Sequence, residues 1–140
     1  MKRLSALLLV AVCVFLAGCI DDSDKDVDID FTTLNTTMLY AQAEKAINEA
    51  NKYVGQTFKI SGNYTPYHDI ASGRYYHYLV VVDDESCCTY PFEFVLSGNP
   101  VYPDDFPEEN AEFQIIGVYK SYRENGKTWY YIATDEIVIL

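Results

Sequence analysis

From Thr36 onward the apolar positions fall on one helical stripe, with Leu39, Ala43, Ala46, Ile47, Ala50 and Val54 recurring at spacings of four, three, one, three and four. Gln42, Glu44, Lys45, Asn48, Glu49 and Asn51 fill the other faces, and Asn35 or Thr36 stands where an N-cap is wanted. Gly55 follows where a helix end favours a residue free to take positive φ. The pattern predicts one amphipathic helix over about 36–53. Its stripe is mostly alanine, so the helix is expected to lie close against a neighbouring surface. Downstream the period changes to two. Phe58, Ile60, Gly62 and Tyr64 make one such run, Tyr76, Tyr78, Val80 and Val82 a second, and Phe92, Phe94 and Leu96 a third. Phe113, Ile115, Gly117 and Tyr119 predict a fourth strand, Thr128 to Ala133 a fifth, and Ile137 to Leu140 a short sixth pairing.

Turn signals separate these runs: Pro66 with His68 and Asp69, Asp83 to Ser86, Ser97 to Pro100, Pro103 to Asn110, and Glu124-Asn125-Gly126, whose Asn-Gly step favours a type I′ hairpin. A mostly β, antiparallel architecture follows. Five principal strands, a glycine in mid-strand where a closed sheet bends sharply and a non-helical link between the third and fourth suit a five-stranded Greek-key OB-fold barrel. A β-sandwich would want more strands. The helix is expected to plug one end of the barrel or brace its side, and helix plus barrel to occupy residues 35–140.

The first residues carry an address. Lys2 and Arg3 precede an uncharged apolar run from Leu4 to Ala17, of signal-peptide length and short for a bilayer span. It ends in Leu16-Ala17-Gly18-Cys19, which resembles the bacterial lipobox, so residues 1–18 are read as a cleaved lipoprotein signal peptide and Cys19 as the lipidated N-terminus. Several acyl chains on one cysteine hold a domain at a membrane surface. The expected location is the cell envelope, on the extracytoplasmic face of a bacterial membrane. Asp21, Asp22, Asp24, Asp26, Asp28 and Asp30 then crowd a short stretch, and residues 19–34 are expected to form an acidic tether with nothing to bury. The ordered glycine and terminal glutamate of a calcium loop are missing there.

Charge narrows the partners. In the 140 residues, ten Lys and Arg stand against twenty-one Asp and Glu, a net −11 that repels phosphate backbones and disfavours nucleic acid. A cation, a metal ion or a basic protein face suits that field, which also keeps a small domain soluble.

Tyr53-Val54-Gly55-Gln56-Thr57-Phe58-Lys59-Ile60-Ser61-Gly62, followed by Asp83, the pair Cys87-Cys88 and Glu93-Phe94, resembles a family of uncharacterised bacterial OB-fold lipoproteins. Tyr102 to Glu109 and Gly117 to Tyr122 resemble the tyrosine-proline and glycine-tyrosine stretches of the same family, so most of the chain after the signal is covered. Pro91 stands between the cysteines and Glu93 where that family suggests glycine, removing a backbone donor. The resemblance implies the OB scaffold of anticodon-binding domains and no tRNA role.

With Cys13 in the signal and Cys19 lipidated, Cys87 and Cys88 are the remaining thiols, adjacent in an exported chain. Their Cα atoms stand about 3.8 Å apart, below the usual disulfide window of roughly 4.4 to 6.8 Å, so a vicinal bridge is strained and easily reduced. A structural vicinal disulfide, a redox-labile pair and a pair of ligands for a divalent metal remain open, with Asp83 and Glu93 as candidate co-ligands. His68 and His77 fall near the start of the second strand and the cysteines beyond its end, which argues against a Cys2His2 zinc site. No serine, histidine and acid, and no cysteine and histidine, are spelled together for hydrolysis. Tyr67, His68, Arg74, Tyr76 and Trp129 are the candidate ligand rim, because so many aromatic residues cannot all fit inside a small barrel. The expectation is a monomeric, non-catalytic module binding a small ligand or an envelope protein, needing no cofactor. Metal handling or thiol redox at the cysteine pair is the alternative.

Overall fold

The structure, a computed structural model, describes residues 26–82 and 88–140. The period-two segments form β2 (Thr57–Asp69), β3 (Arg74–Val82), β4 (Thr89–Leu96), β5 (Glu112–Glu124) and β6 (Lys127–Thr134), and the single helix α1 spans Thr36–Asn48. Two-residue strands β1 (Ile29–Asp30) and β7 (Val138–Ile139) complete a seven-stranded mixed sheet. Five of its strands close a ring: β2 pairs β3, β3 pairs β4, β4 pairs β6 in parallel, β6 pairs β5, and β5 returns to β2.

Closure depends on β2 changing partners in mid-strand. Its first half pairs with β5 up to Asn63, and from Asn63 onward it pairs with β3. Gly62 sits at that switch, where a Cβ would come within 2.6 Å of the Val80 carbonyl oxygen, so the two backbones approach as closely as they do only because no side chain intervenes. Gly117, where β5 takes up β6, meets the Ala133 carbonyl in the same way.

The ring encloses Phe58, Ile60, Tyr64, Leu79, Val81, Phe92, Phe94, Phe113, Ile115, Tyr119 and Ile132, all buried. On β3 the buried parity is Leu79 and Val81, while Tyr76, Tyr78 and Val80 face outward. Every residue from Tyr75 to Val82 is apolar or aromatic except His77, so periodicity alone does not choose the inner face.

α1 closes one end. The Asn35 side chain accepts the Met38 amide at 3.0 Å to cap it, and Ala43 and Ala46 are buried. The expected run to residue 53 instead breaks at Asn48 into a 3-10 turn, Ala50–Lys52, which buries Ala50 and turns Tyr53 inward while Val54 stays exposed. Gly55 then takes φ +93°. The link from β4 to β5 closes the other end, with Phe106 and Tyr102 packed on His77, Phe94 and Tyr64.

Residues 29–34, expected to belong to the tether, pack instead. Ile29 and Asp30 run parallel to Phe58 and Lys59, and Phe31 is 1% exposed with its ring 5.2 Å from Phe58 and 6.0 Å from Phe92. The aspartates hold this segment down: the Asp30 carboxylate caps the following 3-10 turn at the Thr32 amide, and Asp28 accepts the Thr57 amide at 2.7 Å. The packed domain therefore begins at Ile29 and not at residue 35. Cys19 and the signal segment lie outside the described residues. Among the described residues no helix is long and apolar enough to cross a membrane.

Candidate functional site

Strands of 13 residues are longer than a small ring needs, and the surplus of β2 and β5 projects as two hairpin arms. The first arm pairs His68 with Tyr75 and Asp69 with Arg74; the second pairs Tyr122 with Trp129 and Glu124 with Lys127. Asn125 and Gly126 both take positive φ, 51° and 77°, as a type I′ turn requires. The arms meet at their tips. The Arg74 guanidinium donates to Glu124 at 2.8 Å, and the Tyr76 hydroxyl donates to the other carboxylate oxygen at 3.3 Å.

Between the arms, over the outer face of β3 and β4, lies an open cleft of about 620 Å³ whose walls include Tyr67, Tyr78, Val80, Pro91, Glu93 and Trp129. It continues into a recess of about 240 Å³ framed by Tyr76, Tyr122, Glu124 and Asp69, and Tyr67, Tyr78 and Trp129 line both parts. Phe92, Tyr119 and Tyr130 also reach the larger part, because β4 and β6 pair only from Glu93 and Tyr131 onward and leave a gap between their first halves. Trp129 and Tyr67 are 44% and 57% exposed, so much of their ring surface is available to a ligand.

Glu93 is partly buried in this cleft, with the Tyr122 hydroxyl donating to both its oxygens at 3.0 and 3.3 Å. Burial pushes its carboxyl above the usual carboxylate range; the Tyr122 hydrogen bond opposes that rise and the nearby Glu124 charge adds to it. Burial first and Glu93 next hold Tyr122 well above the ordinary phenol range and raise Tyr78 above it. Each phenol therefore stays protonated and able to donate.

A second polar feature is internal. His77, paired with Phe94 across β3 and β4, stacks on Phe106 with ring centroids 3.8 Å apart and has Nδ1 2.7 Å from the Tyr64 hydroxyl. Burial lowers its pKa to about 4, so the ring is neutral and shares one hydrogen bond with the Tyr64 hydroxyl through Nδ1. It is a core histidine with a satisfied partner.

Of the expected rim, Tyr67, Tyr76 and Trp129 come together in the cleft and Arg74 clamps its end, while His68 lies on the opposite face of the first arm, stacked on Tyr75 at 4.4 Å. Tyr78, Tyr122 and Glu124 are additional wall residues. Their signal was pairing, since Tyr78 stands opposite Glu93 and Tyr122 opposite Trp129. Cys88 is exposed, just ahead of β4. Cys87 and Asp83 lie outside the described residues, and Glu93 is engaged with Tyr122. Among the described residues no three His, Cys, Asp or Glu side chains gather as a metal site would need. Neither protein-family models nor curated proteins match the chain.

Proposed function

We propose that the protein is a non-catalytic binding module of OB-fold type, carried on the outside of a bacterial membrane by a lipid on Cys19, and that it takes its ligand in the cleft between the two hairpin arms. The carrying observation is that aromatic cleft, with Tyr67, Tyr78 and Trp129 presenting partly exposed rings beside the partly buried Glu93. Such a mixture of apolar walls and a few fixed polar groups is what ligand sites are made of. The OB-fold reading is supported by the ring order β2-β3-β4-β6-β5 and its one parallel pairing. In that fold ligands lie on the face of the second and third strands, between the first and last hairpin loops. Here those elements are β3, β4 and the turns at 70–73 and 125–126, which frame the cleft. A net charge of −11 turns nucleic acid away from it.

An array of acidic peptides, basic peptides and neutral oligosaccharides, probed with the wild-type protein and Trp129→Ala, tests this reading. Retention of one class by the wild type and its loss in the variant is expected. Identical retention patterns, or none for the wild type, would overturn it.

A further inference from the structure

Of the carboxylates that line the cleft and its recess, Glu93 and Glu124 are in unequal states. Glu124 is matched by the Arg74 guanidinium, so the chain places one of its own cations at the end of the recess. Among the described residues the Glu93 carboxylate hydrogen-bonds only the Tyr122 hydroxyl, and no Lys or Arg lies within ion-pair distance of it. Its raised carboxyl pKa, caused by burial first, fits a charge that protein groups leave incompletely compensated. The aromatic rings around it carry negative π faces, which attract ammonium and guanidinium groups most when water is displaced. A neutral sugar would stack on the same rings but would leave Glu93 without a counter-charge.

Shape separates a chain from a free amine. The larger cleft and the recess share Tyr67, Tyr78 and Trp129, so the space runs on past the room one cationic head needs. Along it, residues 89–92 of β4 and 127–130 of β6 have no pairing with each other, so the space extends between those two strands and has the length of an extended segment. We propose that the cleft binds an extended basic segment of a partner protein, seating an arginine or lysine head between Glu93 and the rings of Tyr67, Tyr78 and Trp129. This rests on the cleft being the ligand site proposed above.

Calorimetry on the full protein with four probes separates the outcomes: a blocked Ala-Arg-Ala-Arg-Ala peptide, the same peptide with neutral citrulline for arginine, free arginine, and a neutral maltooligosaccharide. The arginine peptide is expected to bind at least about tenfold more tightly than the other three, more weakly as salt rises, and about tenfold more weakly to Glu93→Gln. Tyr67→Ala, at an exposed ring outside the core, is expected to weaken it too and keeps the test sound if Glu93→Gln unfolds. Citrulline peptide or oligosaccharide binding as tightly, with dependence on Tyr67, would overturn the cationic reading and leave the cleft reading standing. Free arginine matching the peptide would overturn the extended segment. Arginine-peptide binding unchanged in both variants, or absent, would overturn this inference, and the absence of binding by all four probes would count against the cleft as well.

Discussion

At Gly62 and Gly117 the ring leaves no room for a side chain, since an added Cβ at either collides with a carbonyl oxygen of the adjoining strand. Backbone atoms cannot step aside as a flexible side chain can, so Gly62→Ala and Gly117→Ala are each predicted to cost about 3 kcal/mol or more in chemical unfolding. A loss below about 1 kcal/mol would mean the strands can part there without harm. His77 makes a different prediction. Its pKa in the fold is about 4 against 6.5 for a free histidine, so below about pH 6.5 the unfolded chain takes up a proton that the folded chain refuses. The stability that the neutral ring contributes is whole above pH 6.5, declines as pH falls toward 4, and levels off below that. Urea unfolding of wild type and His77→Phe across this window is expected to show the decline in the wild type and a flatter profile in the variant. Parallel profiles would place the imidazole in water.

Among the elements, α1, β2, β4 and β5 were legible because each repeats apolar residues at its own period, and β3 and β6 because each is a short apolar and aromatic run set off by turn residues. Two features escaped that reading for physical reasons. Phe31 is the one fully buried apolar side chain of a segment next to a run of aspartates, and composition masks it; its edge-on contacts with Phe58 and Phe92 and the pairing of Ile29 and Asp30 with β2 reveal that the segment packs. Truncating that buried ring leaves a cavity against Phe58 and Phe92, so Phe31→Ala is predicted to cost about 3 to 5 kcal/mol. Deleting residues 20–33 should therefore destabilise the fold, and thermal unfolding of the deletion at wild-type temperature would show the segment to be dispensable. The cleft also escaped, although Tyr67, Tyr76 and Trp129 were singled out, because its walls come from β2, β3, β4, β5 and β6 and exist only once the two arms meet at Arg74 and Glu124. Glu93 drew attention through the nearby cysteines, whereas its contact is with Tyr122, 29 positions away.

For the whole molecule, the two ends of the ring are stopped by α1 and by the Phe106 segment, and the outer face of β3 and β4 is left to the cleft. Presentation of that face on the extracytoplasmic side of a membrane rests on the proposed lipid on Cys19. Cys19→Ala is predicted to leave an unlipidated precursor, seen as loss of fatty-acid label from the protein, and equal label on both forms would remove the anchor from the account. The cleft itself is tested most directly by Trp129, the chain's one tryptophan, whose ring is a wall of the site. Its emission and its quenching by acrylamide should be followed while the arginine peptide, or whichever probe the array selects, is titrated into the protein. The account predicts a saturable shift of the emission with a matching loss of acrylamide access, both abolished in Tyr78→Ala. A ligand that binds to saturation and leaves the emission and quenching of Trp129 unchanged would contradict it.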